Sequence, residues 1–393
     1  MSTNTPTAPL PLVRLKTERR SNHPWIFQKM VEKPEPKPKP GSVVDIEDRT
    51  GAWVGRGFYN GHSRIALRVL TEDPDVIIDA DFFRMRLASA LALRTEALAL
   101  DEVTDAYRVV HSEGDDLSGL VVDLFADTLV IEYFSAGMWK QRDVIRRALA
   151  EHFPDHQFYW FAEEHVAKQE SFDTSTPAPP PPTQITENGL KFKVAPGQKH
   201  KTGFFADQRD NRKRLAEYAK GKRVLDLCCN SGGFAIYAKA GGASDVLGID
   251  IDEEVLALAK HNARLNKTHV RFVQADVFHW LRDAANNKES FDVVVLDPPK
   301  MTRDREQVIP ALKKYLDMNK LAMGVLKPGG ILLTCSCTGL VSEEEFLDML
   351  RRAAFYANRK VQILEVRGAG PDHPFLAHAP ESRYLKAAFC RVF

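Results

Sequence analysis

The stretch Val224-Leu225-Asp226-Leu227-Cys228-Cys229-Asn230-Ser231-Gly232-Gly233-Phe234 decides the fold. Its apolar start reads as a buried strand, Gly232 and Gly233 as a turn, and the residues behind them as a helix. Glycines allow the backbone to pass close to a ligand, and the free N–H groups of a helix start point into such a turn. The order of residues is D-x-x-x-N-S-G-G, which is not the G-x-G-x-x-G fingerprint of a dinucleotide site. Asp226 stands where that fingerprint has its first glycine; a carboxylate there repels a pyrophosphate and suits a cation.

Further acids close the next strands in order. Asp250 ends Val246-Leu247-Gly248-Ile249, Asp276 ends Val270–Ala275, and Asp297 opens Asp297-Pro298-Pro299-Lys300. A carboxylate at the end of the second strand is a natural partner for ribose hydroxyls. S-adenosylmethionine has a sulfonium, an α-amino group and no phosphate, and it is the cofactor this series of acids predicts. Asp226, Asn230, Ser231, Gly232, Gly233, Asp250, Asp276 and Asp297 are its candidate binding residues. On this reading Asp250→Ala weakens cofactor binding by removing a ribose contact alone.

From Gly221 onward strands and helices alternate. Strands are predicted over 223–227, 245–251, 270–276, 291–296 and 330–335, with helices over 232–240, 253–266, 277–285, 304–326 and 342–357 between and after them. Strands over 361–366 and 384–392 follow. Such alternation implies a parallel α/β sheet, whose ligands lie beyond the strand carboxyl ends. Upstream, short alternating runs such as Ser42–Ile46 and Ile65–Leu70, punctuated by glycines, suit a small β-barrel. A helix over 81–100, strands over 106–110, 120–125, 129–134 and 158–161 and a helix over 139–152 make a compact central α/β unit. Pro177–Pro182 marks a loop or linker. The expected domains are therefore 1–78, 79–176 and 190–393, with a linker over 177–189.

Composition bounds the function classes. The 393 residues are 44% hydrophobic and 27% charged, with a net charge of +1. No apolar run approaches the ~20 residues of a membrane span. The Ser/Thr/Pro-rich stretch Met1–Leu12 lacks the apolar core of a secretory signal. Five cysteines, at 228, 229, 335, 337 and 390, form no disulfide framework, and their spacing offers no zinc site. A cytoplasmic protein without metal is expected. Residues 1–70 carry 12 Lys+Arg against 6 Asp+Glu, residues 71–185 carry 9 against 22, and residues 186–393 carry 33 against 25. Two basic regions flank an acidic middle, which would put RNA contacts at the ends.

The fifth sheet strand ends in Thr334-Cys335-Ser336-Cys337-Thr338-Gly339. A thiol at this rim has a use if the target is carbon 5 of a pyrimidine. That carbon becomes nucleophilic only after a thiolate adds to carbon 6; a base must later remove the carbon-5 proton. Cys337, next to flexible Thr338-Gly339, is the candidate nucleophile, and Cys335 is expected inside the strand. Asp297 is open to cofactor binding, base orientation or proton transfer. Methylases of exocyclic nitrogens follow Asp-Pro-Pro with an aromatic; here Lys300 and Met301 stand instead. Phe204 or Phe205 is a candidate to stack on an extruded base.

Together, Asp207-Gln208-Arg209, Asn230–Phe234, Asp297–Lys300, Ser336–Gly339 and Asp372-His373-Pro374 resemble the bacterial ribosomal RNA large-subunit cytosine-5 methyltransferases. His23-Pro24-Trp25-Ile26-Phe27 is similar to that family's N-terminal PUA domain, and Tyr384–Val392 to its last strand. The resemblance implies a Rossmann-like class I methyltransferase domain with a seven-stranded mixed sheet, an N-terminal PUA-like β-barrel and a small central α/β domain. It also implies 5-methylcytosine formation in large-subunit ribosomal RNA through Cys337, with Asp297 in the catalytic pair. By the same resemblance Lys199–Arg212 caps the methionine end of the cofactor, with Gln208 as a polar contact; His373 is a candidate to line the mouth, against the commoner structural role of a lone loop histidine. Phe204 and Lys300 are assigned to the substrate; ribosomal RNA is the expected partner, a homodimer is left open and no membrane is involved. Two other readings stay in play. One is RNA methylation at another position, such as a guanine nitrogen, with Cys337 structural; the other is an RNA-binding module that holds cofactor without catalysis.

Overall fold

The computed structural model describes residues 9–197, 204–302 and 304–393. The expectations attached to residues 1–8 and to Lys199–Gly203 lie outside them. Two compact units divide the chain.

The first unit comprises Met1–Thr183, Ala195–Phe204 and Asp372–Pro380. Strands β1 (Leu12–Arg14), β2 (Trp25–Phe27), β3 (Ser42–Glu47), β4 (Trp53–Tyr59) and β5 (Ile65–Thr71) form one sheet in the order β1-β3-β4-β5-β2. The period-2 pattern works as expected: Val44 and Ile46 turn inward to Val13, Ile26 and Leu67, while Asp45 and Glu47 stay on the wetter face. A second, four-stranded sheet joins β6 (Ala106–His111), β7 (Leu120–Phe125), β8 (Thr128–Tyr133) and β9 (Gln157–Phe161) in sequence order. Helices α1 (Ala80–Ala92), α2 (Ala136–Lys140) and α3 (Arg142–His152) accompany it, and Phe83, Leu87, Ile145 and Leu149 enter its core.

The helix expected over 81–100 is shorter in the structure. It widens into a π-turn at Leu93–Ala97, and Ala99 turns left-handed at φ 48°. Arg94, fully buried in the widened turn, explains the break. Its guanidinium binds the Asp115 carboxylate at 2.9 Å and donates to the carbonyls of Arg108 (2.8 Å) and Asp372 (2.7 Å). A short helix, α4 (Glu164–Glu170), follows β9 unforeseen.

The second unit comprises Gln184–Val194, Phe205–Pro371 and Glu381–Phe393. It opens with a hairpin, β10 (Thr183–Glu187) and β11 (Leu190–Val194), where a linker was expected. Beyond α5 (Arg209–Ala219) the foreseen alternation runs through β12 (Arg223–Leu227), α6 (Gly233–Ala240), β13 (Asp245–Asp250), α7 (Glu253–Leu265), β14 (Arg271–Gln274), α8 (Val277–Asn286), β15 (Phe291–Leu296), α9 (Val308–Gly324), β16 (Leu326–Ser336) and α10 (Glu343–Tyr356). β17 (Val361–Arg367) and β18 (Lys386–Val392) complete a seven-stranded mixed sheet, β14-β13-β12-β15-β16-β18-β17. The first five are parallel, and β18 runs antiparallel to both neighbours.

Both faces of this sheet are covered. Val224, Val293, Val295 and Leu333 pack with Leu215 of α5 and Phe234, Ala235 and Ala238 of α6. Their strand neighbours Leu225, Leu227, Val294, Leu296 and Leu332 pack with Leu281, Tyr315, Met318 and Phe346 on the other side. Strand order reverses between β12 and β15, which in such sheets opens a crevice at the carboxyl ends.

Candidate active site

The β12–α6 turn is built by local geometry. Cys228, Asn230 and Gly232 have φ of 58°, 47° and 82°, so the chain winds left-handed three times in five residues. Asn230 N–H donates to Asp250 Oδ2 at 2.9 Å, and Asn230 Oδ1 accepts from Ser231 N–H at 2.7 Å. Asn262 of α7 donates to the Ser231 carbonyl at 3.1 Å. At Gly232 a φ of 82° favours glycine whatever the space, and a Cβ there would also lie 3.1 Å from Phe272 Cζ; at Gly233 a Cβ would lie 3.0 Å from Arg212 Cδ, so the protein's own packing is tight at both positions.

The acids converge. Asp250, Asp297, Asp226 and Asp276 all act on the thiol of Cys228, whose pKa burial first and these carboxylates next push upward. Asp226 is buried, and its Oδ2 accepts from Ala235 N–H at 2.9 Å while its Oδ1 has no partner among the described residues. Burial, then Asp297 and Asp250, drive its carboxyl well above the usual range. Asp250 also does more than await a ribose. Besides holding Asn230 it accepts from Asp252 N–H at 3.1 Å, so Asp250→Ala loosens the glycine turn as well as the crevice. We expect this variant to lose about tenfold or more in S-adenosylmethionine affinity by calorimetry, with faster hydrogen exchange over residues 228–233. Unchanged affinity would place the cofactor elsewhere. Asp276 caps α8 through His279 N–H at 3.0 Å, and its exposed carboxylate is lowered by that bond.

Asp297, directly after β15, is half-buried beside Asp207 and Gln208. Gln208 Nε2 donates to its Oδ2 at 3.1 Å, and Gln208 is itself held by Asn211 at 2.7 Å. Burial and the neighbouring Asp207 lift Asp297 to about 7, against smaller opposing pulls from Gln208, Arg212 and the Cys335 thiol. Cys335 is fully buried inside β16, as expected, whereas Cys337, one residue past the strand end, stays partly exposed. Burial, then Asp297 and Asp207, push the Cys337 thiol up to about 12, and Lys300 pulls it back.

What joins the two loops was not legible in the residues alone. Thr338 Oγ1 accepts from Met301 N–H at 3.1 Å and shares a 2.9 Å hydrogen bond with Tyr315. One hydroxyl thus ties the Asp297-Pro298-Pro299-Lys300 loop to the Cys337 loop. Lys386 Nζ donates to the carbonyl of the same residue at 2.8 Å. Of the aromatic candidates, Phe204 is buried in the first unit and Phe205 is half-exposed in the second. His373 has the surroundings of a structural histidine. It is buried in the first unit, its ring 5.1 Å from that of His111 and 3.3 Å from the Asp372 carboxylate, so it packs.

A cationic ligand with a ribose fits this arrangement: four convergent carboxylates, one with an unpartnered buried oxygen, at the crevice of a parallel sheet. The family model of S-adenosylmethionine-dependent methyltransferases matches residues 108–380. The chain belongs to this family. Its cofactor is S-adenosylmethionine, and a PUA-like domain matches residues 15–72. The chain is similar to proteins named ribosomal RNA large subunit methyltransferase I. That of Tolumonas auensis is 43% identical over 379 residues, covering 94% of this chain and 95% of the relative. That of Photobacterium profundum is 40% identical over 382 residues, covering 95% and 96%. Among solved structures, SMU.776 complexed with SAH shares the fold at a TM-score of 0.82 and 19% identity, over 98% of this methyltransferase and 100% of that chain. No helix among the described residues is long and apolar enough to cross a membrane, and no cluster of three or more His, Cys, Asp or Glu side chains forms a metal site there.

Proposed function

We propose that this methyltransferase forms 5-methylcytosine in large-subunit ribosomal RNA through a covalent Cys337 adduct. The observation that carries the reading is the pairing of a partly exposed thiol with a carboxyl titrating near neutrality on two tied loops at the cofactor end of the sheet. The names of the relatives support the choice of RNA.

In this reading Asp226 and Asp250 hold the cationic and ribose parts of the cofactor, and Asn230, Ser231, Gly232 and Gly233 shape the turn beneath them. Asp276 borders the adenosine side, and Gln208 orients Asp297. S-adenosylmethionine supplies an electrophilic methyl on a positively charged sulfur. Cys337 adds to carbon 6 of the cytosine, which makes carbon 5 electron-rich enough to take that methyl. Asp297, near 7, is matched to remove the carbon-5 proton at neutral pH, and loss of that proton expels the thiolate. Lys300 stands by the thiol and lowers the cost of its ionised form. Of the two aromatic candidates, Phe205, half-exposed in the second unit, is the one with exposed surface to stack on the extruded base, whereas Phe204 is buried.

The test uses ribosomal RNA carrying 5-fluorocytosine, which cannot release its carbon-5 substituent. A protein–RNA adduct stable to denaturant, seen with the native chain and lost in Cys337→Ala, is the expected result. Methyl transfer to the unmodified RNA with no adduct on the fluorinated one would overturn the covalent route.

A further inference from the structure

Strand β18 begins with Lys386, paired in register with Ser336, the last residue of β16. Lys386 is 2% exposed, so its charge has been taken out of water. An ammonium offers three N–H donors at tetrahedral corners. Two go to neutral oxygens, the carbonyls of Thr338 at 2.8 Å and of Tyr384 at 2.9 Å. A buried lysine held by carbonyls is costly unless a negative charge arises nearby. Burial brings Lys386 down to about 8, and the foremost group working against that fall is Cys337.

The surroundings sharpen the point. Asp297 and Asp207 oppose ionisation of Cys337, while Lys300, exposed on its loop, favours it. Tyr315 of α9 also lies within the field of the thiol. Around Lys386 stand Arg383, which disfavours its charge, and Glu343 and Glu345 at the start of α10, which favour it. Glu343 is paired with Arg383 at 2.8 Å, and Glu345 closes the capping box of α10 with Ser342. Both glutamates thus have other work, and the thiol of the adjoining loop is the charge Lys386 is placed to meet.

We propose that Lys386 is a positioning residue for Cys337: anchored on the Thr338 carbonyl, its buried ammonium supplies the positive potential under which the thiol ionises. The proposal rests on the reading of Cys337 as nucleophile and says how its thiolate is reached. The thiol proton leaves to solvent, and the negative sulfur that remains lies in the ammonium's field. The assistance is present while Lys386 is charged, below about pH 8, and fades as pH rises through that value.

Iodoacetamide alkylation of the full chain, read at the Cys337 peptide by mass spectrometry across pH 6 to 10, measures the thiolate: sulfur displaces iodide in proportion to its ionised fraction. Lys386→Met should cut the Cys337 rate at pH 7.5 by about 10- to 100-fold, the effect of one to two pKa units, and Lys386→Arg should restore most of it. An unchanged rate in Lys386→Met, or an arginine variant as slow as the methionine one, overturns the proposal. Should Lys386→Met fail to fold, the native chain decides: the Cys337 alkylation rate should rise about tenfold per pH unit below pH 8 and flatten over the next unit or two as the ammonium is lost, and an unbroken tenfold-per-unit rise from pH 6 to 10 overturns the proposal. The fluorocytosine adduct stays separate. A normal adduct with Lys386-independent alkylation refutes this proposal alone, and Lys386-dependent alkylation with no adduct in the native chain refutes the nucleophile reading alone.

Discussion

Cys337→Ala is expected to reduce methyl transfer to ribosomal RNA by more than about a thousandfold, some 4 kcal/mol of barrier. The reason is chemical. On the proposed route carbon 5 of cytosine does not attack a methyl sulfonium unaided, and the partly exposed Cys337 thiol supplies the addition at carbon 6. Burial, Asp297 and Asp207 hold the resting thiol up to about 12 while Lys300 works against them, so the route needs positive charge at the loop, the part proposed for Lys386. Cofactor affinity and melting temperature should stay close to native, because Thr338 and Lys386, and not the sulfur, carry the hydrogen bonds that hold this loop. The check is incorporation of labelled methyl into ribosomal RNA. Turnover near the native level would favour methylation at another base position, with Cys337 structural.

Glu187→Ala is expected to destabilise the second unit by about 3–5 kcal/mol, because it strands a buried guanidinium. Arg212 of α5 meets Glu187 of β10 through two bonds, at 2.9 and 2.7 Å, with Glu187 wholly buried and Arg212 nearly so. Tyr237 of α6 donates to the same carboxylate at 2.9 Å, and Arg212 also donates to the Phe205 carbonyl at 2.9 Å. The carboxylate therefore joins the hairpin, α5, α6 and the segment leading into Asp207-Gln208. Taking it away should lower the melting temperature by about 6–20 °C for a unit of this size. Glu187→Gln, which keeps a hydrogen-bonding oxygen, should fall between. A shift under about 2 °C would mean that the pair is dispensable. Since Gly233 packs against the Arg212 stem, cofactor affinity should drop along with stability.

By itself the sequence determined the parallel α/β core, because the periods that specify it are local. Val224, Val293 and Val295 alternate with Leu225, Val294 and Leu296, and strands buried on both faces must be apolar throughout. The acids at 226, 250 and 297 were legible for the same reason: a chain that enters a turn at each strand end places those residues on one rim. The division between Cys335 inside and Cys337 outside followed from where β16 stops, at Ser336, before the flexible Thr338-Gly339. Tertiary structure alone decided the interactions between residues far apart in the chain. The hairpin over Thr183–Val194 was itself legible in Asn188-Gly189, left-handed at φ 48° and 79° between alternating runs, although a linker was expected there; what the fold added is the meeting of Glu187 with Arg212. The broken helix after Ala92 follows from Arg94 meeting Asp115 and the distant carbonyl of Asp372. Lys386 reads as an ordinary strand residue until β18 lies antiparallel to β16 and carries its ammonium beneath the Cys337 loop. Hydrophobic period is written in neighbouring residues, whereas a buried charge takes its meaning from partners that only the folded chain assembles.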